Sequence, residues 1–286
     1  MVLYFCAYVP IGHLKDMGFV MVAPGDAEAC MAGIRNSPSR AICRYMQHCA
    51  HIDFTLYDGV IFTHCCSSAE RLFDVVQYRN PGLFLHMMEL PSRMDKEGKK
   101  QLAGECRRLF QALERRFGAR KSPPPRLLEM DGMDGTVWVF GNSLHPLWKE
   151  AVQKVFLDEK LVFSDCRSSR HGDHFLDTGD LDGNCPHMLD FLPWFSRKLE
   201  RDGDSIRAVI GVSSPKCDFS LFAMPQIKQI CQEQRRPVLL LEEEFGPSLS
   251  EQNRIRLEAF WEILGKTGRA KRKTDKWKKE GGYGRD

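Results

Sequence analysis

Six cysteines carry the first chemical signal. Cys6, Cys43, Cys66, Cys166, Cys185 and Cys217 stand at or just past the ends of short apolar runs, or beside the start of a helical pattern. Strand ends of an open α/β sheet converge on one crevice, so thiols far apart in sequence can meet there around one metal centre. The segment Gly59-Val60-Ile61-Phe62-Thr63-His64-Cys65-Cys66-Ser67-Ser68-Ala69-Glu70 reads as a buried strand running into a helix, with Cys66 near the helix start. Backbone N–H groups and the helix dipole favour an anionic metal–thiolate unit at such a place. Ala208-Val209-Ile210-Gly211-Val212-Ser213-Ser214-Pro215-Lys216-Cys217-Asp218 repeats the arrangement, with Cys217 in the strand-to-helix loop. Cys166 ends another strand pattern, Cys185-Pro186 precedes a helix, and Cys43 lies early in one. Of the adjacent pair Cys65 and Cys66, one is expected to face a shared site, and register with Leu72 selects Cys66. Cys30, Cys106 and Cys231, within or near helices, read as small buried hydrophobes.

Composition separates metal chemistry from disulfide staples. The chain has 286 residues and 11 Cys, an odd number, and its opening Met1–Pro10 reads as a strand stopped by proline, not as a leader peptide. A reduced, cytoplasmic protein is expected, in which clustered Cys signals metal or redox work. No apolar stretch approaches the ~20 residues that span a bilayer. Without a C-x-x-C pair or Cys/His knuckle, structural zinc fits poorly. His13, His64, His145, His171, His174 and His187 are scattered. Gly141-Asn142-Ser143-Leu144-His145 lacks the second glycine of a nucleophile elbow. A Walker loop and a G-x-G-x-x-G are both missing, which argues against nucleotide hydrolysis or dinucleotide binding. Soft thiolates without histidine select iron–sulfur or zinc, and strand-end loops suit the former.

The elements that must hold these thiols alternate between β and α patterns. Strands are expected at Val2–Val9, Val20–Ala23, Gly59–Thr63, Leu83–Leu90, Thr136–Phe140, Leu161–Ser164, Ala208–Val212 and Val238–Leu241. Helical patterns cover Ser37–Ala50, Ala69–Arg79, Lys96–Phe117, Pro146–Phe156, His187–Glu200, Pro225–Gln234 and Ser250–Leu264, with Gly118 in a C-cap position. Nearly continuous apolar strands between helices predict parallel sheets covered on both faces. The expected fold is therefore α/β, with two Rossmann-like lobes and a site in the crevice between them. Residues 1–121 form the first lobe, 122–135 a proline- and glycine-rich linker, 136–265 the second lobe and 266–286 a basic, disordered tail. The tail carries nine Lys/Arg against three Asp/Glu, a net of +6, leaving about −3 for the rest of a chain whose total is +3. One Trp and one Tyr among those cations do not make a nucleic-acid stacking platform.

The same residues resemble a known family over nearly all the body of the chain, the D-component family of 2-hydroxyacyl-CoA dehydratases, with its benzoyl-CoA reductase subunits and double-cubane cluster proteins. Tyr4-Phe5-Cys6-Ala7-Tyr8-Val9-Pro10 with Gly18 is similar to its opening motif. Ala41-Ile42-Cys43-Arg44 resembles its first cluster cysteine, Cys66-Ser67-Ser68-Ala69-Glu70-Arg71-Leu72-Phe73 its second and Val209–Asp218 its third. Pro237–Glu242 followed by Gln252–Phe260 resembles its final strand and helix. The resemblance implies a [4Fe–4S] cluster on Cys43, Cys66 and Cys217 with one iron position open. It also implies a separate ATP-dependent iron–sulfur activator that delivers single electrons, and a homo- or heterodimer. In the dehydratases the electron reduces an acyl-CoA thioester to a ketyl radical, which releases the 2-hydroxyl. This chain departs from the pattern in having Pro10-Ile11-Gly12-His13 where the family usually carries Glu two residues after the proline. The helical region between the lobes, which helps form the acyl-CoA pocket, is also largely missing. Cys6, Cys166 and Cys185 resemble the extra cysteines of the double-cubane branch, which implies as alternative an [8Fe–9S] cluster reducing small molecules or carrying electrons. A further alternative is an accessory protein that keeps the fold without the chemistry.

Overall fold

A computed structural model of the chain describes residues 1–24, 42–118, 136–141, 144–157, 159–165, 171–179 and 189–280, without the side chains of Asp218 and of residues 266–280. Two four-stranded sheets, all strands parallel, form the frame. The first orders β2 (Met21–Val22), β1 (Val2–Tyr4), β3 (Gly59–His64) and β4 (Phe84–Glu89) side by side. The second repeats that order with β6 (Leu161–Ser164), β5 (Thr136–Gly141), β7 (Ile206–Ser213) and β8 (Val238–Glu242). All eight expected strands are present. The two lobes thus share a topology that has no counterpart as a repeat of residues.

Each sheet is covered on both faces because its central strands are apolar on both. In the first lobe, α1 (Ile11–Asp16) and α4 (Lys96–Phe117) cover one face, while α2 (Arg44–Cys49) and α3 (Ser67–Arg79) cover the other. The α4 stripe Leu102, Cys106, Leu109 and Leu113 has helical spacing and is fully buried. Cutting any of those leucines to alanine costs about 2–5 kcal/mol. In the second lobe, α5 (Pro146–Val155) and α9 (Glu251–Glu280) lie on one face, and α7 (Phe191–Arg201) and α8 (Asp218–Glu233) on the other.

The structure corrects several boundaries. β1 ends at Tyr4, because the Val9 amide turns back to the Cys6 carbonyl at 3.1 Å and Pro10 then caps α1. The apolar run Phe5–Val9 is buried all the same. It is buried as a loop, which hydropathy does not distinguish from a strand. α8 begins at Asp218 and carries Pro225 inside it. The proline read as a start signal, yet a helix tolerates one at the loss of a backbone bond when packing holds both sides. α9 continues to Glu280, beyond the expected end at Leu264 and into the basic tail. The 122–135 linker lies outside the described residues.

One element crosses between lobes. α6 (His171–Thr178) follows β6 in the chain but packs on the first lobe, where Phe175 joins the core under α1 and α4. Its Gly172 amide donates to the Ala7 carbonyl at 3.0 Å. The approach is so close that a Cβ on Gly172 would stand 2.3 Å from the Tyr8 carbonyl oxygen. Buried Asp173 accepts from the Gly12 amide at 2.8 Å and the His13 amide at 3.1 Å, with His13 Nδ1 also at 3.1 Å. His13 Nε2 faces Asp177 at 3.2 Å. At Gly12 a Cβ would sit 3.0 Å from the Asp173 carboxylate. That carboxylate fills the space a side chain at position 12 would need.

Candidate metal centre

Parallel sheets leave their crevices at the carboxyl ends of the strands, at the point where strand order reverses. In the first sheet that point lies between β1 and β3, and in the second between β5 and β7. Cys6 follows β1, Cys65 and Cys66 follow β3, and Cys217 follows β7. The cavity where these ends meet measures about 60 Å³, several times the space that holds one water. Its wall is lined by Cys6, Cys43, Cys65, Cys66 and Cys217, by Ser67, Ser68 and Ser214, and by Lys216. Phe5, Tyr45, Met46 and Phe219 complete it with apolar surface.

The three thiols singled out as a set share a local position. Cys43 is the N-cap of α2, Cys66 of α3 and Cys217 of α8, each with an extended backbone and no side-chain capping bond. Ser, Thr, Asp or Asn would each cap better by about 1 kcal/mol. Three thiols at the three caps around one cavity therefore serve something other than their helices. The α8 cap depends on a tight turn, in which the Cys217 amide donates to the Ser214 carbonyl at 3.1 Å and Lys216 takes φ 63°. A left-handed residue other than glycine costs about 1 kcal/mol, the kind of local strain that gathers at functional sites.

Electrostatics couples the set. Burial pushes the Cys43 thiol up, and nearby Cys66 and Cys217 push it the same way, against backbone and Ser68 hydrogen bonds that lower it. Thiolates so placed repel one another, so ionising them together calls for a positive centre between them. Soft, mutually repelling thiols at helix N-termini in a largely apolar pocket are the donor set that an iron–sulfur cluster uses. Among the described residues, no group of three or more His, Cys, Asp or Glu side chains closes in as ligands of a single ion do. Thiolates on a cluster bond different irons and so stand farther apart than the ligands of a single ion.

The remaining candidates divide cleanly. Cys6 lines the cavity, whereas Cys166 and Cys185 lie outside the described residues. Cys106 and Cys231 are fully buried in the two cores, where burial pushes both thiols up to about 12, and Cys30 lies outside the described residues. His64 is engaged with Glu89, its Nδ1 at 2.8 Å, and that bond raises its pKa.

Sequence reasoning missed Cys65 as a wall residue. The Cys65 amide donates to the Thr63 carbonyl at 2.8 Å, a three-residue turn that breaks the strand's alternation, so neighbouring thiols both reach the cavity. Tyr45, Ser214, Lys216 and Phe219 were also not singled out. The Ser213-Ser214-Pro215 run beside Cys217 was the available signal for Ser214.

Residues 6–124 match the family model described as 2-hydroxyglutaryl-CoA dehydratase, D-component, so this stretch is similar to that family. The matched stretch includes Cys6, Cys43, Cys65 and Cys66 and ends before the second sheet. A search of curated proteins returned no match. No helix among the described residues is long and apolar enough to cross a membrane.

Proposed function

We propose that this chain, a relative of the dehydratase D-components, holds a [4Fe–4S] cluster through Cys43, Cys66 and Cys217. The cluster serves single-electron reduction of an acyl-CoA thioester. The observation that carries the reading is the meeting of three helix-capping thiols from two lobes at one cavity. When bound, such a cluster supplies single electrons and an open iron that acts as a Lewis acid. The protein's own part is to hold the thiolates at three helix N-termini, whose partial positive charge offsets theirs. Phe5, Tyr45, Met46 and Phe219 restrict water, which protects reactive intermediates and strengthens every electrostatic contact inside. Lys216 places a cation at the cavity wall. Electrons come from an ATP-dependent iron–sulfur activator, and the chain works as a homo- or heterodimer.

A second reading is favoured by Cys6 and Cys65 on the same wall. Additional thiols suit a double-cubane [8Fe–9S] cluster that reduces small molecules or passes electrons on. Anaerobic purification with iron and acid-labile sulfide analysis separates the readings. About four irons per chain, lost on Cys66→Ala, supports the single cluster. About eight irons moves the reading to the double cubane. A folded chain that takes up no iron overturns both and leaves a non-enzymatic accessory role.

A further inference from the structure

The loop before Cys217 holds two adjacent serines with different fates. Ser213 donates its hydroxyl to the Leu241 carbonyl at 3.1 Å, which commits it to the β7–β8 pairing. Ser214 is 9% exposed, lines the cavity, and keeps a buried Oγ without a hydrogen-bond partner among the described residues. Its carbonyl is already occupied by the Cys217 amide. Buried hydroxyls are nearly always paired, so an orphan on a cavity wall marks where an occupant of that cavity accepts a hydrogen bond.

We propose that the Ser214 hydroxyl donates to a sulfur of the cluster held by Cys217 and thereby raises its reduction potential. The inference rests on the cluster reading above. Ser214 and Cys217 close the same turn and line the same cavity, which places both at the wall that a group bonded to the Cys217 sulfur would meet. Reduction adds negative charge to the cluster, and a donor aimed at its sulfurs stabilises the reduced form more than the oxidised one. In a pocket with this much apolar wall, little solvent is present to take over that task.

The test compares the wild type with Ser214→Ala and Ser214→Thr, each reconstituted anaerobically and titrated electrochemically with the paramagnetic signal as readout. Iron per chain is measured in parallel. Equal iron content, a lower midpoint potential in S214A and a return toward the wild-type value in S214T is the expected result. Loss of iron from S214A but not from S214T also supports the contact, read then through retention of the cluster. A fully loaded S214A with the wild-type potential overturns the inference and leaves the cluster reading standing. A wild type that takes up no iron overturns both.

Discussion

Chemistry at a single thiol here depends on which surface it meets. Cys217 caps a helix at the cavity wall, whereas Cys106 is sealed in the core under α4. On the cluster reading, Cys217→Ala lowers bound iron several-fold with little change in unfolding free energy. Cys106→Ala leaves iron content unchanged and costs about 1–2 kcal/mol. Iron assay and urea unfolding on both variants distinguish the two roles. His64 supplies a pH-dependent contrast, since its bond to Glu89 raises its pKa above the ordinary 6.5. A raised folded-state pKa means that its share of stability is fully present below the unfolded value and is lost as the pH rises through the folded one. The pair is nearly half exposed, so solvent limits that share to about 0.5 kcal/mol. Urea titrations should show wild type exceeding His64→Gln by that amount near pH 5.5, with the gap closed by about pH 9.

Among the elements, the short crossing helix α6 is sensitive to a small change. Gly172 packs against the Tyr8–Pro10 backbone too closely for any Cβ, in the loop that begins at Cys6. Gly172→Ala must push α6 off that loop, at a cost of about 1–3 kcal/mol. Urea unfolding measures the loss, and an unchanged midpoint would contradict the packing described. The neighbouring contacts of Asp173 with the Gly12 and His13 amides belong to the same joint. Helix starts were the least readable features of the sequence. Pro225 resembles an N1 residue but lies in the interior of α8, and the true start at Cys217 lacks a conventional capping side chain. A cysteine serving as a cap is invisible to capping rules because its purpose is not to cap.

Across the molecule, the cavity exists only if the two lobes stay together. Arg44 Nε meets Glu244 at 3.1 Å, and the Phe245 ring packs edge-on against Tyr45 and His48, both with centroids at 4.9 Å. These contacts link the segment after β8 to α2, the helix that Cys43 caps. Phe245→Ala removes both ring contacts, and about 1–2 kcal/mol of inter-lobe packing is expected to go with them. Each sheet keeps its own core, so the far-ultraviolet spectrum should hold while reconstituted iron leaches faster to a chelator. Equal leaching rates would show that these contacts do not govern the cavity.

The parallel sheets, most of the order of strands and helices, and the position of several cysteines beside strand ends and helix starts were legible in the chain. Apolar runs and their punctuation are local properties, and loop cysteines stand out against them. The meeting of Cys43, Cys66 and Cys217, the addition of Cys65 to the wall, the orphaned Ser214 hydroxyl and the return of α6 to the first lobe were not. Each depends on how segments separated by many residues are brought together, and a linear pattern holds no distances between them. Hydropathy records that Phe5–Val9 must be buried, but part of the burying surface is a helix more than 150 residues away. Folding of the two lobes against each other turns three ordinary helix starts into one candidate metal centre.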